Sequence, residues 1–208
     1  IEYVKNPGYF KEGRPYINGM KHFVIIDAGR TIAAFKTGQV LTSNTGITNM
    51  STREAERLDQ DMDDLTVFWG GPTGARHVYM NTTKAPFDNA DVRKAVHLAL
   101  HRQPIIETMS GGRDSIGYLN PPGFWYSRTQ EEYDQLPGYR ELNGEKHPDD
   151  VAEARRLLQQ AGLIPNLKVP LSTRNCCGYP DLTVLVKQQL EENLGWDIDI
   201  QTWESAAG

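Results

Sequence analysis

Cysteine is scarce in this 208-residue chain: it holds two, side by side at Cys176 and Cys177 in "STRNCCGYP". A scaffold stapled by disulfides is thereby excluded, and no C-x-x-C or second pair is present to complete a zinc set. Adjacent Cα atoms lie about 3.8 Å apart across a trans peptide, whereas ordinary disulfides span roughly 4.4–6.8 Å, so a bridge between these neighbours would be strained. A thiolate nucleophile would need a histidine and an orienting group, which the sequence does not place nearby. The pair reads as free, partly buried loop thiols.

Other absences narrow the function. No apolar run approaches the roughly 18 residues of a membrane span. The net charge is −5 and Lys and Arg are scattered, so the basic stripe of a nucleic-acid or anionic-membrane binder is missing. "GGPTGA" and "SGGRD" lack both the Lys-Ser/Thr ending of a P-loop and the G-x-G-x-x-G spacing. His97 and His101 stand four apart on one expected helix, but Leu98 holds the place where a zincin needs its glutamate. Both imidazoles are therefore expected on the half-exposed flank of that helix. The acidic residues gather in "DMDD", "QEEYDQ" and "QLEEN", which read as solvated surface. No catalytic constellation, metal site or cofactor motif emerges.

What is present is an alternation of helices and strands. Hydrophobic residues at 38% and charged residues at 24% suit a globular chain, and the length suits one domain or one lobe. "HFVII" (22–26) reads as a short strand. "RTIAAFKTG" reads as a helix stopped by Gly38. Ser51 with Glu54 has the spacing of a capping box at the start of "STREAERL". "LTVFWG" (65–70) and "RHVYMN" (76–81), joined by a Gly/Pro-rich turn, read as a hairpin. "DNADVRKAVHLALHR" supplies a helix capped by Asp88 or Asn89, with Val92, Ala95, Val96, Ala99 and Leu100 on one face. Residues 109–145 show no periodicity. "HPDDVAEARRLLQQAG" is again helical, with Pro148 in the first turn, Val151, Ala154, Leu157, Leu158 and Ala161 on one stripe, and Gly162 as the stop. Strand "LKVPLST", loop "RNCCGY", helix "PDLTVLVKQQLEENLG" and strand "WDIDIQTWE" complete an α/β pattern.

Arg174 carries the sharper chemical suggestion. It leaves the carboxyl end of a strand on a loop that leads into a helix, where ligand crevices open in α/β sheets, and its fork suits a carboxylate or phosphate. A surface salt bridge is the competing reading.

The order of "NPGYF", "GRPYINGMKHFVII", "VYMNTTKAPFDNADVRKAVHLALHRQPII", "NPPG", "HPDDVAEARRLLQQAG" and "YPDLTVLVKQQLEENLGWDIDI" resembles the family 5 extracellular solute-binding proteins, the peptide/nickel-type receptors that feed ABC importers. The string carried by Asn81, Thr82, Pro86, Phe87, Asp88, Val92, Arg93 and Ala95 is the most specific part. His101 stands where the family usually has Asp, and Phe10 where it usually has Trp.

The resemblance implies an α/β fold, a type II periplasmic-binding-protein-like lobe whose mixed sheet is flanked by helices. Residues 1–25 are expected to be a hinge-side segment of the first lobe, and 26–208 the second lobe, incomplete at its C-terminal end. The lack of an initiator Met and of a signal-like segment fits a piece of a longer protein. The implied function is capture of a peptide or similar small polar solute between two lobes. No enzymatic role and no cofactor are implied, and the implied partners are ABC permease subunits. The location is extracytoplasmic, with any lipid anchor outside this piece. In peptide-binding relatives an arginine after the corresponding strand meets the ligand carboxylate, which makes Arg174 the matching candidate, with Asn175, Cys176, Cys177 and Tyr179 beside it. "NPPGFWY" and "FWGGPTGA" are secondary candidates for the cleft rim, although Trp125 and Tyr126 are expected in structural packing. A thiol-dependent hydrolase or transferase using Cys176 or Cys177, and a ligand-free α/β interaction module, are the alternatives.

Overall fold

The computed structural model describes every residue except 26, 42–50, 71–74, 117–121, 164 and 205–208. It comprises two compact units, Ile1–Asn49 and Met50–Gly208. In the first, β1 (Glu2–Val4) pairs antiparallel with β2 (Gly19–Lys21). Gly19 sits opposite Val4, and a β-carbon there would collide with the Tyr3 carbonyl, which explains the glycine. Helix α1 (Ala28–Lys36) starts at Asp27, whose carboxylate accepts the Arg30 N–H at 2.8 Å. Gly38, at φ +70°, follows its last turn.

The second unit contains α2 (Thr52–Asp61), α3 (Ala90–Ala99), α4 (Arg102–Ser110), α5 (Gln130–Asp134), β3 (Glu141–Leu142), β4 (Glu145–Lys146), α6 (Pro148–Gln160), β5 (Lys168–Arg174), α7 (Tyr179–Leu194) and β6 (Asp197–Trp203). Its organising piece is β5–α7–β6, in which the two strands run parallel and in register from Lys168 beside Asp197 to Arg174 beside Trp203. Val169 and Ile198 point inward and are buried, as are Val186, Leu190 and Leu194 of α7. They join Val92, Ala95 and Val96 of α3 and Ala154, Leu157 and Leu158 of α6 in one core, with Trp196 closing it. The α6 stripe falls where its period places it: Ala154, Leu157 and Leu158 are buried, and Val151 and Ala161 are half-buried. Several helix ends match a local signal. Ser51 and Glu54 form the full capping box, Pro148 opens α6, and Gly162 and Gly195 adopt left-handed geometry just beyond α6 and α7.

Several expectations are corrected. His22–Val24 and Ile25 carry no strand; the pairing instead uses Gly19–Lys21, just before them. The described residues of 65–70 and 76–81 form no strand, and the turn expected between them falls outside the described residues. The helix expected to run through Arg102 breaks at Leu100, whose extended backbone ends α3, and α4 starts two residues later. His97 and His101 consequently do not share a helix. Residues 109–145 are also more structured than expected. Thr129 and Glu132 make a second capping box at the head of α5, and the β3–β4 hairpin turns on Asn143 (φ +55°) and Gly144 (φ +78°).

Candidate ligand-binding site

The loop from Arg174 to Tyr179 is held by its backbone. The Asn175 N–H donates to the Trp203 carbonyl at 2.8 Å, which extends the strand pairing by one bond. Cys176 N–H then turns back to the Arg174 carbonyl at 2.9 Å, and Tyr179 N–H to the Cys176 carbonyl at 3.0 Å. Cys177 (φ +61°) and Gly178 (φ +72°) both take the left-handed conformation, which swings the chain from strand to helix. A side chain is costly there, so Cys177 stores local strain that Gly178 avoids. On Gly178, an added β-carbon would lie 3.1 Å from the Met109 methyl, so the loop abuts the end of α4.

Arg174 is exposed and turned out from the core, on the opposite side of the strand from buried Thr173. Among the described residues its guanidinium makes neither a hydrogen bond nor an ion pair. Tyr179 is 38% exposed at the first position of α7. Asn175 reaches Glu204 with its side-chain amide at 3.4 Å. Both cysteines are free, Cys176 half-buried and Cys177 exposed. The Cys177 thiol is pushed above its ordinary range, first by its hydrogen bond with Cys176 and then by burial, against the opposing pull of Arg174 and Arg76. That direction suppresses the thiolate and argues against a nucleophile.

The structure brings Arg174, Asn175, Cys176, Cys177 and Tyr179 together on one exposed loop. It does not bring the aromatic candidates into the core. Trp125 is 94% exposed, and it meets Tyr126 edge-on while Phe124 stacks on Tyr126. The packing role expected for Trp125 is therefore corrected, because its only described ring contact is to a neighbour in sequence. Trp69 does have a partner, the Arg113 guanidinium 4.1 Å from its ring centroid. Arg113 also makes a two-pronged contact with Glu56 of α2.

His97 serves a polar knot that sequence reading missed. The Asp150 carboxylate, 1% exposed, accepts from Gly138 N–H at 2.7 Å, Arg140 Nε at 2.8 Å and Lys146 Nζ at 3.2 Å. The Gly138 carbonyl in turn accepts from Arg102 at 2.6 Å and Lys146 at 2.9 Å. Arg102 stacks over Tyr139, and its other amino group meets His97 Nδ1 at 3.0 Å while His97 Nε2 faces the Pro137 carbonyl at 3.1 Å. A neutral His97 protonated at Nε2 satisfies both contacts, donating to Pro137 and accepting from Arg102. Burial, then the Arg102 charge, hold its pKa below the ordinary value. Among the described residues no group of three or more His, Cys, Asp or Glu side chains is arranged to hold a metal ion.

The family model of the bacterial extracellular solute-binding proteins, family 5 Middle, matches residues 1–208. The chain belongs to this family. It is a family of solute-binding proteins rather than enzymes. The chain is 25% identical over 162 residues to the periplasmic oligopeptide-binding protein OppA of Haemophilus influenzae, covering 78% of this chain and 28% of that protein. It is 24% identical over 195 residues to the glutathione-binding protein GsiB of Salmonella choleraesuis, covering 92% and 34%. The chain thus spans about a third of the length of the curated relatives it matches. Its fold is similar to that of the periplasmic binding protein DppA of Helicobacter pylori, solved with peptide STSA (TM-score 0.76, 22% identity, 99% of this chain and 36% of that one).

In this member of the family, the His101 that departs from the family's usual Asp is 8% exposed and stands at the N-cap position of α4, where its side chain makes no capping bond. Its ring meets Glu141 at 2.7 Å. The expected half-exposed flank is corrected: the helix break turns His101 inward, where the β3–β4 hairpin supplies a carboxylate.

Proposed function

We propose that this chain is part of the substrate-binding component of an ABC importer, capturing a peptide or similar small polar solute in a cleft between two lobes. In this reading residues 1–25 are a hinge-side segment of the first lobe, and 26–208 form most of the second. Arg174 receives a ligand carboxylate, while Asn175, Tyr179 and the two thiols shape the loop around it. The complete protein acts outside the cytoplasm, delivers its ligand to permease subunits, and carries any lipid anchor outside these residues. The observation that carries the reading is the exposed guanidinium at the carboxyl end of β5, without a partner among the described residues, in a chain of a solute-binding family. Such crevices collect ligands because strand ends and the following helix point their backbone groups at one place. The names of similar proteins agree with a peptide-like solute: OppA of Haemophilus influenzae is called oligopeptide-binding and GsiB of Salmonella choleraesuis glutathione-binding.

A thermal-shift screen of the complete two-lobe protein against peptides, metal chelates and sugars tests this. A ligand at a hundred times its Kd adds about 2.7 kcal/mol of stability by mass action. Stabilisation by peptides is expected; stabilisation by none of the three classes contradicts the reading.

A further inference from the structure

β5 and β6 end side by side, and their register sets Arg174 directly beside Trp203. Neighbouring strands are roughly 4.8 Å apart, and register partners in a parallel pair lean to the same side of the sheet. Inward Val169 and Ile198 are buried, so Arg174 and Trp203 belong to the opposite, outward row. The residues preceding them in that row, Ser172 and Gln201, are polar. Trp203 is the large aromatic of that row, 53% exposed.

The backbone that bears the indole is held in place. The carbonyl of Trp203 accepts the Asn175 N–H at 2.8 Å, and the next residue, Glu204, meets the Asn175 side chain. Among the described residues neither the Arg174 guanidinium nor the Trp203 indole has a hydrogen-bond, ring or cation partner. A large exposed aromatic beside a guanidinium without a partner among the described residues offers a ligand two unlike contacts on neighbouring strands.

We infer that Trp203 is a specificity residue of this site, presenting its ring to the group next to the carboxylate that Arg174 receives. The favoured solute then carries a carboxylate with a flat, apolar substituent close by, as a peptide ending in phenylalanine does. In such a residue the ring lies roughly 5 Å from the carboxylate, so one ligand residue can meet two side chains carried on neighbouring strands, with rings pairing at 4.5–7 Å. The inference rests on the reading of Arg174 above.

Calorimetry of the complete protein with Ala-Ala-Phe and Ala-Ala-Ala tests it. The unaltered protein is expected to favour Ala-Ala-Phe by roughly three- to tenfold. Trp203→Ala should bring that ratio to about one by weakening Ala-Ala-Phe more than Ala-Ala-Ala, and Trp203→Phe should restore most of the preference. A ratio unchanged in Trp203→Ala, or equal weakening of both peptides, overturns the role of Trp203 alone. Failure of the unaltered protein to bind either peptide, or affinities unmoved by Arg174→Ala, overturns the Arg174 reading and this inference with it.

Discussion

Gly138, at φ +91°, lies so close to His97 that a β-carbon at position 138 would collide with the imidazole. Gly138→Ala must therefore either displace His97 from Pro137 and Arg102 or move a backbone whose N–H and carbonyl are both bonded. Strained φ and overpacking together cost about 3 kcal/mol. Thermal unfolding should show a Tm lower by roughly 6–12 °C; an unchanged Tm would mean that the knot around Gly138 is not built as described.

Asp150 binds three donors in a site where each charge depends on the others. Burial by itself would raise its pKa, but the Gly138 N–H, Arg140 and Lys146 outweigh burial and hold it below the ordinary carboxylate value. A carboxyl with a depressed folded pKa contributes stability that is complete above its unfolded pKa, about 3.9, and is lost as pH falls through the folded value. Asp150→Asn should cost about 3–5 kcal/mol at pH 7, since it leaves Lys146 and Arg140 unpaired. Urea unfolding should show the gap between variant and parent narrowing below pH 4.

His97 titrates with the opposite chemistry. It is neutral when folded, and its pKa is lowered by burial and by Arg102. In the unfolded chain it takes up a proton near pH 6.5, so folding stability falls as pH drops below that value. His97→Gln removes the titration and can still donate to Pro137. Urea midpoints at pH 7 and pH 5.5 should differ less in this variant than in the parent.

Alanine at both Cys176 and Cys177 is expected to leave ligand affinity of the complete protein within about threefold, because the Cys177 thiolate is suppressed and a neutral thiol is only a weak hydrogen-bonding group. Loss of a measurable turnover on that change would count against a receptor.

Where structure is set by neighbours in sequence, the chain could be read directly. Ser51 with Glu54, Pro148, Gly162 and the β5–α7–β6 succession all state their geometry within a few residues. The break at Leu100 is different, because groups from α7 stabilise it. Asn193 takes the Ala99 carbonyl at 2.8 Å, and Gln189 brackets the N–H and carbonyl of His101 at 2.8 and 2.9 Å. Nothing near residue 100 announces those partners. Two local signals did exist. Pro104 suits the first turn of a new helix, and "NG" at Asn143 and Gly144 marks a two-residue hairpin inside a stretch without periodicity. At the candidate site, the placement of Arg174 at a strand end was legible in "LKVPLSTRN". The role of Trp203 beside it was not, because register between strands separated by a helix is a tertiary property.

The central claim is that Arg174 faces a ligand, and calorimetry of Arg174→Ala in the complete protein with Ala-Ala-Ala measures it most directly. Loss of a charged hydrogen bond to the peptide carboxylate predicts weakening by about 1.5–3 kcal/mol, roughly ten- to 150-fold in Kd. An affinity equal to that of the parent would remove Arg174 from the site.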